Sequence, residues 1–380
     1  MTSKTKLGQP GLLKKMNRSL IIELIFKHRE ISRSELAKKT GLALPSVMRL
    51  VDGLIQDKIV VDIGKGDSSG GRKPSLLSLN RTLMYIVGVE IAVKTTVILT
   101  NLLGEIVDEW STDEMQGGSP QVILSEVVNS IDVLLDKHNI SKSELGGIGI
   151  GTPGMNFKYV RDVDYSILRG WESTDVKDYF ETRYECDIIV ENVARTRTLA
   201  ELWFGHGQEI DDFIYVFVDQ GVGCGIVQKG KIVTGHDAVA GEFGHHIISY
   251  GGKPCYCGNE GCIEMYVSAG AITNHFSQFA HSFSDVLEIE SSQTTQLFTE
   301  TGKILGTGIS NLINIMNPSS VILGGIVPMK SELIFDVAKK KIATSIFSNY
   351  AVETPIYKGS IEQDGLGSIA LVINRLFKEA

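Results

Sequence analysis

GHHIISYGGKPCYCGNEGCIE, residues 244–264, sets one imidazole, His245, ten residues ahead of a Cys255-x-Cys257-x4-Cys262 run. A closed structural zinc site takes four nitrogen or sulfur ligands and keeps no open position, so His245, Cys255, Cys257 and Cys262 form a complete tetrahedral set for Zn²⁺. Gly251, Gly252, Gly258 and Gly261 let a short segment fold back around an ion. Three of the chain's five cysteines stand here. The other two, Cys186 and Cys224, are read as buried small hydrophobes rather than as a disulfide. Glu242 and Glu264 flank the ligands, and the metal needs neither. Either they hold something polar beside the zinc or they support its ligands.

The chain has 380 residues with 43% hydrophobic content, more than one core usually serves, so two or three globular domains are expected. It has no apolar run of about 18 residues, and it opens MTSKTKLGQPG, so neither a membrane span nor a signal segment is expected. A cytoplasmic location follows as the expectation. The net charge is −8, unevenly placed: residues 1–82 carry 16 Lys+Arg against 7 Asp+Glu, and the remainder 21 against 38. A basic head on an acidic body points to nucleic acid at one end, because an acidic body alone would be repelled by phosphate.

In the head, Leu20, Ile21, Leu24 and Ile25 recur at helical spacing from Asn17 to near His28. Ser32 and Glu35 then form a capping box for a second helix that Gly41 stops. A third helix opens near Pro45 and buries Val47, Leu50, Val51 and Leu54. Ser46, Met48 and Arg49 are left on its outer face, able to approach base edges in a major groove. Ile59–Ile63 and Ser75–Leu79 read as strands joined by the basic loop GKGDSSGGRKP. The layout predicts a winged helix-turn-helix over 1–82, with Lys65, Arg72 and Lys73 on the wing and within reach of phosphates or a minor groove.

Residues 83–380 mix strands and helices. Tyr85–Val89 and Thr96–Leu99 read as strands, Val122–His138 as an amphipathic helix, and Gly146–Gly154 as a buried strand entering a Gly-Pro turn. Phe213–Val218 reads as a strand, Gly221, Gly223 and Gly225 as a glycine loop, Thr301–Met316 as a helix, Val321–Leu323 as a strand, and the region from Leu366 as a final helix. This is α/β, in two lobes. GIGIGTPG (147–154), GEFGH (241–245), CYCGNEGCIE (255–264) and NPSSVILGG (317–325), behind a winged helix, resemble the ROK family. That family groups sugar-responsive repressors with sugar kinases. The resemblance covers nearly the whole chain, and the head is similar to that of the family's xylose, glucose and N-acetylglucosamine repressors. It implies an actin-like (ribonuclease H-like) two-lobed sugar-kinase fold, with residues 83–191 plus 362–380 as the first lobe and 192–361 as the second, zinc-bearing lobe.

The resemblance also marks departures. The family's kinases follow an asparagine with an aspartate that acts as the base toward the sugar hydroxyl. Here Asn192 is followed by Val193, which cannot accept a proton. Glu90–Thr95 lacks the glycines of the first phosphate loop, and Asp219-Gln220 stands where the second has Gly-Thr, setting a carboxylate against a triphosphate. No ATP binding and no catalysis are expected. By resemblance, Asn192, Glu242, His245 and Glu264 match positions that hydrogen-bond sugar hydroxyls. Arg195 either pairs with an anionic group on the effector or lies on the outer face of its helix. His246 is structural or exposed. The leading expectation is a repressor of carbohydrate-use genes that binds a double-stranded DNA operator as a homodimer or dimer of dimers, controlled by a small carbohydrate. A sugar kinase with a DNA-binding head, and a repressor governed by a protein partner, stand as alternatives.

Overall fold

The computed structural model of the chain describes residues 10–65, 75–92, 94–112, 119–152, 175–347 and 353–379. Helix α1 (Pro10–His28) begins at Pro10 rather than at Asn17; a proline is tolerated at a first helical position because that N–H would be unpaired anyway. A two-residue strand β1 (Ile31–Ser32) follows, then α2 (Arg33–Thr40). Ser32 Oγ accepts from Glu35 N at 3.2 Å while Glu35 Oε2 accepts from Ser32 N at 2.9 Å. Gly41, at φ 69°, ends α2. Helix α3 (Leu44–Gln56) buries Val47, Val51 and Leu54, with Pro45 in its first turn. Strands β2 (Val60–Lys65) and β3 (Ser75–Leu79) close the head in the sheet order β1-β3-β2. The short β1, absent from the sequence reading, pairs Ile31 with Leu77. Residues 66–74, with Arg72 and Lys73, lie outside the described residues.

The body repeats one design twice. Strands β4 (Tyr85–Ile91), β5 (Thr95–Asn101) and β6 (Ile106–Thr112) run antiparallel. Helix α4 (Pro120–Lys137) leads to β7 (Leu145–Thr152), and α5 (Val176–Glu181) to β8 (Asp187–Asn192); β7 is parallel to both β4 and β8. The order is β6-β5-β4-β7-β8. Helix α6 (Val193–Phe204) then crosses to the second sheet. Strands β9 (Phe213–Val218), β10 (Val222–Gln228) and β11 (Lys231–Ile232) are again antiparallel. After α7 (Glu264–Val267), α8 (Ala269–His275), α9 (Phe283–Leu287) and α10 (Ser292–Met316) comes β12 (Ser320–Gly324), parallel to β9. Helices α11 (Ile326–Lys330) and α12 (Glu332–Ser345) precede β13 (Ile356–Lys358), parallel to β12, giving β11-β10-β9-β12-β13. Helix α13 (Leu366–Glu379) returns to pack on β4 and β7. Parallel neighbours need helical crossovers, which is why helices enter between the same strands in both halves.

The alternation in GGIGIGT explains how α13 seats. Ile148 and Ile150 point into a core with Ile123, Leu124 and Val127 of α4. The glycines face the other way, where a Cβ on Gly149 would stand 1.9 Å from the Ser368 carbonyl and one on Gly147 2.8 Å from Val372. The same device appears in β10. Gly221, Gly223 and Gly225 were read as a loop, yet the last two lie within a strand, where a Cβ would meet Ala194 at 2.4 Å and Thr198 at 1.9 Å. They allow α6 to lie on that sheet. Helix α10 begins at Ser292 rather than near Thr301, because Ser291 Oγ caps it and the polar stretch still buries Thr294 and Phe298.

The head is packed on the body. Phe26 of α1 meets Trp203, Phe204 and Phe377 edge-on at centroid distances of 5.4, 5.8 and 5.6 Å. Ile21, Ile22 and Ile25 belong to the same continuous core as Leu199, Trp203, Ile373 and Phe377. Arg29 Nη1 donates to the Leu103 carbonyl at 2.6 Å. No helix among the described residues is long and apolar enough to cross a membrane.

Adding one methyl group tests the glycine-lined contact. Gly149→Ala overpacks β7 against α13 and is expected to destabilise the chain by about 1–3 kcal/mol, read as a lower thermal midpoint. Gly11→Ala, where a Cβ meets nothing within 4 Å, leaves the midpoint unchanged or higher.

Candidate metal and ligand site

Between a 3-10 turn at Phe243–His245 and α7, the chain folds back through two antiparallel bridges, Ile247 with Cys262 and Pro254 with Glu260. Gly258 and Gly261 take φ values of 87° and 81°, and a Cβ on Gly261 would sit 1.7 Å from the Ser249 carbonyl. The turn gathers His245, Cys255, Cys257 and Cys262 so that their ligand atoms all lie within 4.8 Å of one another. Cys257 Sγ and Cys262 Sγ are 3.6 Å apart, and His245 Nδ1 is 3.7 Å from Cys255 Sγ. A tetrahedron around an ion with metal–sulfur bonds of about 2.3 Å has edges of roughly 3.7 Å, so the set could hold a metal. Burial pushes the Cys255 and Cys262 thiols up, which leaves them neutral unless a cation stabilises the thiolates. The remaining cysteines are free: burial pushes Cys224 up to about 12 and half-buried Cys186 up to about 11.

His245 does not present its second nitrogen openly. Nε2 lies 3.4 Å from the Tyr256 hydroxyl, with the rings edge-on at 5.3 Å. Nδ1 is turned to the thiols, and Tyr256 sits against the far nitrogen, the place an outer partner takes for a metal-bound imidazole. His246 lies 3.4 Å from Asn311 of α10 and is structural.

The other polar residues converge at the starts of α6, β10 and α7. Asn192 caps α6, its Oδ1 accepting from Ala194 N at 2.8 Å. Glu264 is 5% exposed, and its Oε2 accepts from Val222 N at 2.7 Å. A Cβ on Gly221 or on Gly244 would come within 3.0 Å of that oxygen, so Glu264 pins the β9–β10 turn to the metal segment. Glu242 is exposed, beside Gly241, where φ is 99° and a Cβ would press on the Cys224 carbonyl at 2.1 Å.

Arg195 does not lie on the outer face of its helix. It is 5% exposed; its Nε donates to Glu191 Oε1 at 2.8 Å and its Nη1 to the Ala238 carbonyl at 2.7 Å. Glu191 already lies against its charge. Glu191 Oε1 also accepts from Asn192 N at 2.8 Å. Arg195 thus ties the segment before Glu242, where Ala238 has a φ of 57°, to the residue beside Asn192.

The two turns compared above with phosphate loops hold carboxylates. Val193 is the buried first residue of α6. Asp219 accepts from Gln220 N at 2.9 Å and from Ile326 N, at the start of α11, at 3.1 Å. Glu90, 2% exposed, accepts from Arg197 Nε at 3.0 Å and from Gly365 N at 3.3 Å; burial pushes its carboxyl up and Arg197 draws it back. Arg197 also bonds Asp364, and Glu201 accepts from Ser360 N at 2.6 Å and Ile361 N at 3.2 Å. Arg197 and Glu201 went unnoticed in the sequence, where charges on a short helix read as solvated.

In the head, Met48 and Arg49 of α3 are exposed and Ser46 is half-buried. Lys65 is the last residue of β2.

A winged helix-turn-helix head on a twice-repeated five-stranded α/β body that carries a His/Cys3 cluster defines a class in which a DNA-binding type of head is joined to a sugar-kinase scaffold. Residues 86–375 match the ROK family, and the chain belongs to it. It is 29% identical over 371 residues to the xylose repressor of Bacillus subtilis (strain 168), covering 95% of this chain and 96% of that one. It is 32% identical over 281 residues to a glucokinase of Halalkalibacterium halodurans, covering 67% of this chain and 84% of the kinase. A ROK family transcriptional regulator described as a homologue of the E. coli MLC protein superposes with a TM-score of 0.78 at 21% identity, covering 97% of each chain. The ROK glucokinase of Streptomyces griseus superposes at 0.62 and 22% identity over 77% of this chain and 98% of that one. These likenesses establish the actin-like fold of the body.

Arg195→Ala is expected to free the segment around Ala238. Hydrogen exchange should quicken at residues 235–241 while α10 and α12 keep their protection; unchanged exchange at 235–241 would contradict the strap.

Proposed function

We propose that the chain is a cytoplasmic transcriptional repressor of carbohydrate-use genes, in which a kinase-like pocket senses a sugar without phosphorylating it. The observation that carries this is the start of α6: Val193, a buried hydrocarbon, follows Asn192 where a kinase needs a proton acceptor. Loss of a general base typically costs about 10²–10⁴ in rate. The carboxylates of Asp219 and Glu90 accept from the amides of Ile326 and Gly365 and would repel a triphosphate, so no ATP site is assigned.

Ser46, Met48 and Arg49 of α3 would face base edges of an operator duplex, with Lys65, Arg72 and Lys73 on phosphates or in a minor groove. A homodimer or dimer of dimers would set two heads at a spacing matched to half-sites. Asn192 and Glu242 would be the direct sugar contacts, donor and acceptor. Glu264, His245 and Arg195 would shape the site: Glu264 through Val222, His245 through the metal segment, and Arg195 through Glu191 and Ala238. His245, Cys255, Cys257 and Cys262 would hold a structural Zn²⁺, which supplies cross-linking and no open position. The repressor names among the relatives, xylose and N-acetylglucosamine, set the class of effector to try first.

Thermal shift across neutral pentoses and hexoses and their phosphates is expected to return one stabilising sugar, with a shift that grows with concentration as binding to the folded state requires. A coupled ATPase assay with the same sugars should show no turnover; turnover would restore the kinase reading. His245→Ala should lose bound zinc by elemental analysis together with the response to sugar, and retention of both would refute the metal assignment.

A further inference from the structure

Helix α6 touches both sheets, the segment before α13 and the head. Its cap, Asn192, faces the ligand site. Its first turns lie on the second sheet, where Gly223 and Gly225 admit Ala194 and Thr198. Arg197 reaches Glu90 of the first sheet and Asp364, and Glu201 takes the amides of Ser360 and Ile361. Those last three residues lie on the segment that returns the chain from β13 to α13. At the far end Trp203 and Phe204 close on Phe26 of the head. The helix has 12 residues, about 18 Å at 1.5 Å per residue.

We propose that α6 works as a lever: it pivots where Arg197 and Glu201 hold it to the crossing segments, and its motion carries occupancy at Asn192 to the head through Trp203 and Phe26, which are the positioning pair. The inference rests on the reading that a sugar binds at Asn192 and Glu242, and adds how that binding is regulated into DNA affinity. The Arg197 ion pairs and the amides that donate to the buried Glu201 are costly to separate and hold the middle of the helix fixed, so a tilt at one end is delivered at the other rather than absorbed. The two ends differ in kind. The cap end is polar and open to a ligand, whereas the far end is a T-shaped aromatic contact that repacks in discrete steps. Trp203 Nε1 is buried with no hydrogen-bond partner among the described residues. A buried donor without a protein partner costs energy in this docked arrangement, and a second seating of the head that pairs it would recover that cost. A ligand can shift only such a balance between two seatings.

The test uses the full chain, D-xylose as the probe sugar and a duplex selected by the chain from a random pool, with Phe26→Leu and Trp203→Phe as separate variants. Both are expected to bind D-xylose and the duplex alone within about two-fold of the unsubstituted chain. The effect of D-xylose on duplex affinity, of order 10-fold in the unsubstituted chain, should fall below about two-fold in each. A full response in both variants overturns the lever. If D-xylose fails to bind the unsubstituted chain, the choice of sugar fails, and exchange without ligand decides the lever. Loosening the socket by Phe26→Leu, or by Trp203→Phe where the first does not fold, should quicken exchange at residues 193–198 as well as in α1. Quickening confined to α1 and α13 overturns it.

Discussion

A charge removed from water has to meet a counter-charge or hydrogen-bond donors, and that requirement on one short helix organises this molecule. Arg195, Arg197 and Glu201 project from α6 into the interior, and each finds its partner on a different segment. Removing one member of such a set leaves a buried charge uncompensated, typically at about 3–5 kcal/mol. The pairs therefore specify where the segments lie. They fix the two chain crossings between the repeated sheets, the strap before Glu242, and, through the end of the helix, the seat of the DNA-binding head.

The ligand site follows from the same helix. A kinase and a sensor need the same grip on a sugar, but only the kinase needs a proton acceptor and open amides for phosphates. In the proposed sensor Asn192 and Glu242 would supply that grip, while Asp219 and Glu90 accept from the amides of Ile326 and Gly365. The His/Cys3 segment stands beside this as a rigid wall, its imidazole steadied by Tyr256.

Much of this was legible in the sequence wherever the determinants are local. The Ser32–Glu35 capping box, the Gly41 stop and the Cys-x-Cys-x4-Cys spacing act within a few residues, and the structure shows each in place. What could not be read depends on partners far along the chain. Glycines that make a loop in isolation lie in β10 because α6 presses on them. Arg195 looked like a surface or anion-binding residue because Ala238 is 43 positions away. The polar start of α10 hid its buried Thr294 and Phe298, and nothing near Phe26 announced Trp203 and Phe377.

The glycine-lined faces of β7 and β10 also bear on how such a chain can drift. Val193 is buried at the start of α6, so a hydrocarbon at that position, which cannot accept a proton, is accommodated by the packing of the helix. A methyl group at Gly149 or Gly225, by contrast, would drive a helix off its sheet. Reactivity is thus the easy trait to lose in this architecture, and helix-to-sheet spacing the hard one. A scaffold with that asymmetry can shed an activity by single substitutions and remain available, fully folded, for another use.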